Sequence, residues 1–408
     1  MQFRPIISAM RRNKVGAMLI AVQMAITLAI LCNALFIIQQ RIALSKRPTG
    51  TDEVNIVVLD NQWVGNPPDI VGRQQGDLAA LRSLPGVQDA FATNAVPLTN
   101  SGSTTGISLR PDQKNATASA ALYFGDEHTL AAWGLKLIAG RNFNSDEVFD
   151  KVGYTDFKPP AAIIITKGLA DKLFPNANAV GQSIYTDSPQ AHPIVGVVDR
   201  LQVPWVSAGG WGSAFNDSSI IEPFRFVSPY PTLYVVHAQP GQAAAVIQAA
   251  PKKLFDISRA RVIGKTRAMT TMRMEIYKDD KGLVVILGVV CASLLAVTAF
   301  GIVGLTSYWV TQRRRQIGIR RALGATRNVI IQYFQTENLL IAGAGAAIGV
   351  ALAVSLNLWM VSAFAMQRLN TGYALIGAVV VMLLGQAAVL WPALKAASIP
   401  PALATRAA

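Results

Sequence analysis

The segment TQRRRQIGIRRALGATRNVIIQYFQTE, residues 311–337, decides how the rest of the chain is interpreted. It contains six arginines, and Glu337 is its one acidic residue. Long uncharged apolar runs flank it on both sides. Loops rich in Lys and Arg between apolar spans lie on the cytoplasmic side of a membrane. The sequence therefore predicts a cytoplasmic loop that joins two membrane spans.

The middle of this loop has the pattern of a short surface helix. The sequence IGIRRALGA, residues 317–325, places apolar side chains among arginines, and Gly318 and Gly324 bracket about two helical turns. We expect a helix along the membrane surface over residues 313–325. A simpler interpretation is that the arginines only anchor two spans to anionic lipid headgroups. Anchoring requires positive charge alone, however, and does not require this order of residues.

Composition indicates a membrane protein, because 51% of the 408 residues are hydrophobic and only 15% are charged. Four runs without Asp, Glu, Lys or Arg exceed the roughly 18 apolar residues that a transmembrane helix needs. The first run is too long for the apolar part of a cleavable signal and lacks a small-residue cleavage site, so we expect a permanent anchor. Strands and helices alternate between the first two runs. The predicted fold class is a membrane protein with four transmembrane helices and a large α+β extracytoplasmic domain inserted between helices 1 and 2.

The predicted boundaries follow from these runs. In chain order they are a cytoplasmic N-terminal segment (1–14), transmembrane helix 1 (15–38), a periplasmic domain (39–281), transmembrane helix 2 (282–310), the cytoplasmic loop (311–337), transmembrane helix 3 (338–364), a short periplasmic loop (365–372), transmembrane helix 4 (373–394) and a cytoplasmic tail (395–408).

The net charge of +14 comes from membrane topology. Residues 39–281 carry 24 Lys plus Arg against 22 Asp plus Glu, so most of the excess lies beside the spans. This distribution argues against a nucleic acid as partner. The cationic segments belong on one side, which places both termini in the cytoplasm and the large domain outside the membrane.

Several expectations concern the large domain. The run VNIVVLD, residues 54–60, reads as its first strand. Residues 99–117 are rich in Ser, Thr, Gly and Asn, so we expect exposed loops there. A final helix over residues 267–281 is expected to run into the second span, where a continuous helix would form a stiff lever.

Two groups of residues outside the loop are candidate contact sites. Trp205 and Trp211 lie in a glycine-rich stretch without periodicity and form either an outer-domain contact surface or a pair of loop tryptophans packed on the domain. Gly343, Gly345 and Gly349 lie in the third span, where small residues allow helices to approach closely. That approach is either within one subunit or between two subunits.

The chain lacks the motifs of a catalytic, metal or nucleotide site. It contains no GxxxxGK[ST], and the GKT at residues 264–266 has Arg259 where the phosphate-binding loop requires glycine. The three histidines are far apart in sequence and in no metal-binding spacing. We therefore expect no enzyme activity and no cofactor bound by this chain.

The order RRRQIGIRRALGATR resembles the cytoplasmic loop of the FtsX-like permease family, in the branch of MacB-type permeases. The stretches AAWGLKLIAGRNF and AIIITKGLADKLFPNANAVGQSI resemble parts of the outer core domain of that branch, and WPALKAASIPPALATRAA is similar to its terminal segment. One departure is Gln316, where the family commonly has glutamate. The resemblance implies a coupling helix that docks on a cytoplasmic ABC ATPase through Arg313, Arg314, Arg315, Ile317, Gly318, Ile319, Arg320, Arg321, Ala322, Leu323 and Gly324.

The resemblance also implies a function. The chain would be the permease subunit of an ABC-type efflux system in the bacterial inner membrane, a homodimer or a heterodimer with a paralogous permease, with ATP bound by a separate ATPase subunit. Mechanotransmission would couple that ATPase to movements of the periplasmic domain. The alternative is a regulatory FtsX-like subunit that activates a periplasmic hydrolase or a sensor kinase. A membrane-fusion protein as partner would favour export, and the substrate stays open.

Overall fold

In a computed structural model the chain forms two units, residues 1–43 with 280–408 and residues 44–279. The structure describes residues 14–65, 67–153, 158–186, 189–206, 215–228, 231–364 and 367–400. The first unit is called the membrane unit below, and the second is called the outer unit. The predicted N-terminal segment up to residue 13 and the end of the predicted tail lie outside the described residues.

The helices and strands of both units are numbered here in chain order. All of the strands, and the helices α2 to α6, belong to the outer unit. The helices are α1 (Lys14–Ser45), α2 (Ile70–Arg82), α3 (Thr129–Trp133), α4 (Lys167–Leu173), α5 (Ala243–Ile257), α6 (Met269–Ile276), α7 (Lys278–Gln312), α8 (Arg314–Ala322), α9 (Arg327–Phe364) and α10 (Thr371–Ala397). The strands are β1 (Ile56–Trp63), β2 (Val87–Thr93), β3 (Ser103–Ile107), β4 (Ala118–Phe124), β5 (Leu137–Gly140), β6 (Phe149–Val152), β7 (Ile163–Thr166), β8 (Ser183–Ile184), β9 (His192–Val198), β10 (Ser219–Glu222), β11 (Phe224–Val227), β12 (Thr232–Ala238) and β13 (Arg261–Ala268).

Four of the described helices, α1, α7, α9 and α10, are long and apolar enough to cross a membrane. Together with the α+β outer unit they confirm the predicted fold class. Helix α9 begins at Arg327, so residues 327–337 of the predicted loop are the first turns of the helix that becomes the third span. The predicted loop, residues 311–337, is therefore mostly helical.

Helix α1 lies at the centre of the membrane unit. Ile20, Met24, Leu28 and Cys32 are fully buried and recur every fourth residue, which places them on one face of the helix. The hydroxyl groups of Thr27 and Thr298 lie 2.8 Å apart and share a hydrogen bond between α1 and α7. This bond gives both hydroxyl groups a partner inside the protein, where lipid offers no water.

The first sheet of the outer unit has the strand order β13-β1-β12-β2, and all neighbouring strands are antiparallel. Chain order and strand order together match the ferredoxin-like split βαβ arrangement, with α2 and α5 as the two crossover helices. Val57 and Leu59 pack with these helices, whereas Ile56 and Val58 belong to a second core. Strand β1 is therefore buried on both faces, which explains its continuous apolar sequence.

A second sheet is inserted between β2 and β12. Its strand order is β3-β4-β10-β7-β9-β5, with β8 paired to β9, and a separate parallel pair joins β6 to β11. The expectation of loops throughout residues 99–117 was wrong, because β3 pairs with β4 there. Strand β3 is an edge strand with only Thr105 and Ile107 buried, so its sequence has little apolar signal.

The expected continuous helix over residues 267–281 was also wrong. Strand β13 extends to Ala268 because it pairs with β1 as far as Val57. Helix α6 then ends at Ile276, and Tyr277 separates it from α7 with φ −98° and ψ 12°. The route from the outer unit into the second span therefore contains a break at Tyr277 and is not one stiff helix.

A buried ion pair holds the first sheet to α2. The guanidinium of Arg261 donates two hydrogen bonds of 2.7 and 2.8 Å to the carboxylate of Asp77, and both side chains are fully buried. The hydroxyl of Tyr234 donates to the same carboxylate at 2.9 Å, and the guanidinium lies 4.2 Å from the ring centre of Trp63. Removal of one partner would leave an unpaired charge in the core.

We expect Asp77→Ala to lower the free energy of unfolding of the outer unit by about 3–5 kcal/mol, because Arg261 would stay buried without a counter-charge. Asp171→Ala is the matched control, since its exposed ion pair with Lys167 contributes less than about 0.5 kcal/mol. Thermal unfolding of the purified full chain measures both variants. Equal melting temperatures for Asp77→Ala and Asp171→Ala would contradict the structural role of the pair.

Candidate functional site

The predicted coupling helix is α8, which begins after Arg313 and ends in a glycine cap. The backbone of Gly324 has φ +97°, and its amide donates to the carbonyl of Arg321, while the amide of Ala325 donates to that of Arg320. These two bonds form a Schellman motif, which satisfies the last carbonyls of the helix. Gly318 lies inside the helix and is buried, so only Gly324 marks an end.

An ion pair between Arg313 and Glu337 attaches the start of α8 to α9. The guanidinium of Arg313 lies 2.8 Å from one carboxylate oxygen and 3.1 Å from the other, and only 3% of the surface of the Glu337 side chain is exposed. Sequence reasoning missed this role of Glu337, although its position as the one acid among arginines was a signal. Gln316, the departure from the family pattern, is exposed.

Two further arginines hold α8 in place. The guanidinium of Arg320 lies 5.0 Å from the ring centre of Tyr333 on α9, a cation–π contact. Arg321 donates a hydrogen bond to the backbone carbonyl of Ile399, after the end of α10. Ile317 is buried in the core of the membrane unit. Helix α8 is therefore packed against the bundle along one side.

The opposite side of α8 is open to solvent. Arg315, Ile319, Ala322 and Leu323 are exposed and lie on one face by their spacing of three and four residues; they are called the docking face below. Leu323 is 83% exposed, and Ile319 is 47% exposed. Exposed apolar side chains beside arginines are typical of protein interaction sites. Arg314 is also exposed, close to the start of the helix.

Two of the three candidate packing glycines contact α1. A Cβ atom on Gly345 would lie 2.8 Å from the carbonyl oxygen of Ala21, and one on Gly349 would lie 2.9 Å from that of Ala25. A Cβ atom on Gly343 would meet no atom within 4 Å. Gly345 and Gly349 thus allow α1 and α9 to approach closely within one chain. These two residues therefore give no support to a contact between two subunits.

The candidate tryptophan surface is only partly described. The ring of Trp205 is half-buried against the core of the outer unit, with its centre 6.1 Å from that of Phe215. Trp211 lies outside the described residues. Packing on the domain accounts for Trp205, and the contact role of the pair stays a prediction.

The three histidines make separate local contacts in the outer unit. His128 Nδ1 lies 2.9 Å from the carboxylate of Asp89, and His237 Nδ1 lies 2.7 Å from the carbonyl of Ala131. His192 is buried, and desolvation lowers its pKa below the ordinary value for histidine. Within the described ranges, no group of three His, Cys, Asp or Glu side chains could hold a metal ion.

Two family models match this chain. One, described as the MacB-like periplasmic core domain, matches residues 16–254, which is more than half of the chain. The other, described as the FtsX-like permease C-terminal, matches residues 288–401. The second match contains α8, α9 and the part of α7 from residue 288 onward.

The chain is similar to larger proteins named macrolide export ATP-binding/permease protein MacB. The protein from Neisseria meningitidis is 26% identical over 286 residues, which cover 66% of this chain and 40% of that protein. The protein from Escherichia coli O6:K15:H31 is 23% identical over 329 residues, covering 78% of this chain and 46% of that protein. The chain thus spans less than half the length of these relatives.

Two solved structures are similar to part of this chain at low identity. The periplasmic region of MacB from Actinobacillus actinomycetemcomitans has a TM-score of 0.34 at 15% identity, covering 57% of this chain and 97% of that one. The extracellular domain of the noncanonic ABC-type transporter YknZ from Gram-positive bacteria has a TM-score of 0.30 at 15% identity, covering 51% of this chain and 100% of that one.

We expect Gly349→Val to destabilise the membrane unit by about 1–3 kcal/mol, because its side chain would push against the backbone of Ala25. Gly343→Val is the matched control on the same helix, with open space around its Cβ. The measurement is the fraction of monodisperse protein that survives heating in detergent. If Gly343→Val lost stability and Gly349→Val did not, the contact between α1 and α9 would be misassigned.

Proposed function

Because the chain belongs to the family of FtsX-like permeases with a MacB-like periplasmic core domain, we propose that it is the permease subunit of an ABC-type efflux or export system. The observation that carries this proposal is the docking face on α8. It presents Ile319 and Leu323 to solvent beside arginines, in the helix whose sequence resembles a coupling helix. The occupant we propose is a cytoplasmic ATPase.

ATP binds to that partner, and this chain holds no cofactor. The sequence supports this division of roles, because it has no phosphate-binding GxxxxGK[ST] motif. The relatives are named as combined ATP-binding and permease proteins, and this chain matches less than half of their length. In the proposed exporter, the energy comes from ATP bound by a partner ATPase subunit.

The proposed mechanism is mechanotransmission. A force on the docking face reaches α9 through the ion pair of Arg313 with Glu337 and reaches the bundle core through Ile317. The four apolar runs contain no Asp, Glu, Lys or Arg, so the sequence offers no charged route through the bilayer. In this mechanism the outer unit moves and acts on the substrate. The substrate does not pass through the four helices.

The proposed setting is the bacterial inner membrane. Both termini and α8 lie in the cytoplasm, and the outer unit lies in the periplasm, because the arginine-rich segment follows the positive-inside rule. The active assembly pairs this chain with a second copy or with a paralogous permease, on two ATPase subunits. A membrane-fusion protein is the further partner that an export role would need.

We expect the double variant Ile319→Asp with Leu323→Asp to reduce co-purification of the ATPase at least about tenfold, because two apolar contacts would become unpaired charges at the interface. Ile317 is left unchanged, since it is buried and its loss would move α8 itself. Ile257→Asp is the matched control, because Ile257 is as exposed as Ile319 at 47% but lies in the outer unit. Undiminished association of the double variant would remove the docking assignment.

We expect Thr326→Cys to be protected from a membrane-impermeant maleimide in intact spheroplasts, and Lys252→Cys to be labelled. Both positions are exposed, and the native Cys32 and Cys291 are buried. Thr326 lies between α8 and α9, whereas Lys252 lies on α5 of the outer unit. Labelling of Thr326→Cys from outside would place the docking face in the periplasm and end the proposal.

A further inference from the structure

A pocket of about 530 Å³ lies in the outer unit, beside the first sheet and α6. This volume is in the range of sites that bind small molecules. Asp60 and Leu233 line it from the sheet, and Glu275 lines it from α6. A further wall comes from the segment between β2 and β3. These residues are separate from the docking face on α8.

Asp60 lies at an irregularity in the first sheet. It pairs with Leu233 of β12 on one side, whereas the pairing of β1 with β13 on the other side shifts register between Leu59 and Asn61. Bulges of this kind redirect side chains and are common next to functional sites. Gly264 of β13 lies close by, and a Cβ atom on it would be 3.0 Å from the Cβ of Asp60. A larger residue at this position would therefore crowd the carboxyl group that lines the pocket.

The wall between β2 and β3 has a strained backbone. Leu98 has φ +68° and Asn100 has φ +56°, which are left-handed conformations that few residues other than glycine adopt. The amide of Asn100 donates to the carbonyl of Pro204, and its side-chain oxygen accepts a hydrogen bond from the amide of Val206. Such strain persists only where the surroundings hold it, and it is concentrated at functional sites. Hydrogen bonds therefore hold this wall in its strained form.

Four of the lining residues are apolar side chains without rings. Leu98 and Met272 belong to the core of the outer unit, with 2% and 3% of their surfaces exposed. Leu233 and Ile276 pack against the same core, and all four line the pocket. A ligand with an aliphatic body could bury that body against these side chains while its polar group meets Asp60.

The charges of the pocket favour a cation at Asp60. Within the described ranges, the charged side chains that line it are Asp60, Arg267 and Glu275, and a hydrogen bond of 2.7 Å pairs Arg267 with Glu275. Burial raises the pKa of Asp60 above the ordinary value for aspartate, although the charges of Arg267 and Lys265 and a hydrogen bond from the backbone of Lys265 act in the opposite direction. The ionised carboxylate is therefore only partly compensated by the protein.

Two further groups leave this balance unchanged. Lys265 is exposed, so water and salt screen the charge of its ammonium. Residues 229 and 230, which precede Pro231 of the lining and lie outside the described residues, are proline and tyrosine in the sequence. Neither carries a formal charge at pH 7.

We propose that this pocket binds an aliphatic primary ammonium, with its N–H groups directed at the carboxylate of Asp60 and its apolar body against Leu233 and Met272. The hydroxyl of Thr99 also lines the pocket and donates its hydrogen to the carbonyl of Val96, so its oxygen can accept a second N–H of the ammonium. An anion of the same shape would meet the carboxylate of Asp60 at short range, which is unfavourable. The proposal concerns binding alone and does not depend on the docking of an ATPase.

The test is calorimetric titration of the full chain in nanodiscs, with the heat of empty nanodiscs subtracted. The probes are 2-cyclohexylethylammonium and 3-cyclohexylpropanoate, which share an aliphatic ring and a two-carbon spacer and differ in the sign of their charge. We expect the ammonium to bind at least about tenfold more tightly, which corresponds to about 1.4 kcal/mol. Equal affinities, or no binding of the ammonium, would overturn the proposal.

Variants then locate the site. Asp60→Asn is expected to weaken binding of the ammonium about tenfold, because the side chain keeps its shape but loses its charge. Glu275→Gln, at an exposed position, is expected to weaken it about threefold, because Arg267 would lose its counter-charge. This second variant tests the pocket even where Asp60→Asn lowers the melting temperature. Asp256→Asn on α5 is the exposed control. Unchanged affinity in both pocket variants would place the binding elsewhere and refute the site.

Discussion

The hydrocarbon core of a bilayer offers no hydrogen bonds, and the membrane unit is built around that constraint. Its four long apolar runs contain no Asp, Glu, Lys or Arg. Several of the polar groups that remain inside find partners in the protein, as the hydroxyl of Thr27 does with that of Thr298, and the amide nitrogen of Asn33 with the carbonyl of Ala353. Charge is confined to the helix ends. Helix α8 is therefore held by contacts at the end of the bundle, such as the pair of Arg313 with Glu337.

These end contacts give α8 two sides with different roles. Ile317 is buried in the bundle, whereas Ile319 and Leu323 face solvent. In the proposed mechanism, a partner bound to the solvent side acts on a helix that is already attached to α9 by the pair of Arg313 with Glu337. Tyr277 interrupts the chain between α6 and α7, so these helices are two separate elements rather than one stiff rod.

The sequence predicted the fold class and the segment of the candidate site, but several local assignments failed. Residues 99–117 looked like loops, yet β3 forms there because β4 supplies its hydrogen bonds. Residues 267–281 looked like one helix, yet β1 draws the first two of them into β13. In both cases pairing with another strand outweighed the local preference of the residues. A prediction from the local preferences of residues does not include the strand with which a segment pairs.

Hydropathy and charge are carried by each residue wherever it lies, so the sequence by itself determined the four spans, the arginine-rich segment between the second and third, and the large domain between the first and second. Only the tertiary structure decided which residues meet. It paired Arg313 with Glu337, set Gly345 but not Gly343 against α1, and enclosed Lys151 between two phenylalanines. Each of these depends on distances between residues far apart in the chain, which the folded packing alone fixes.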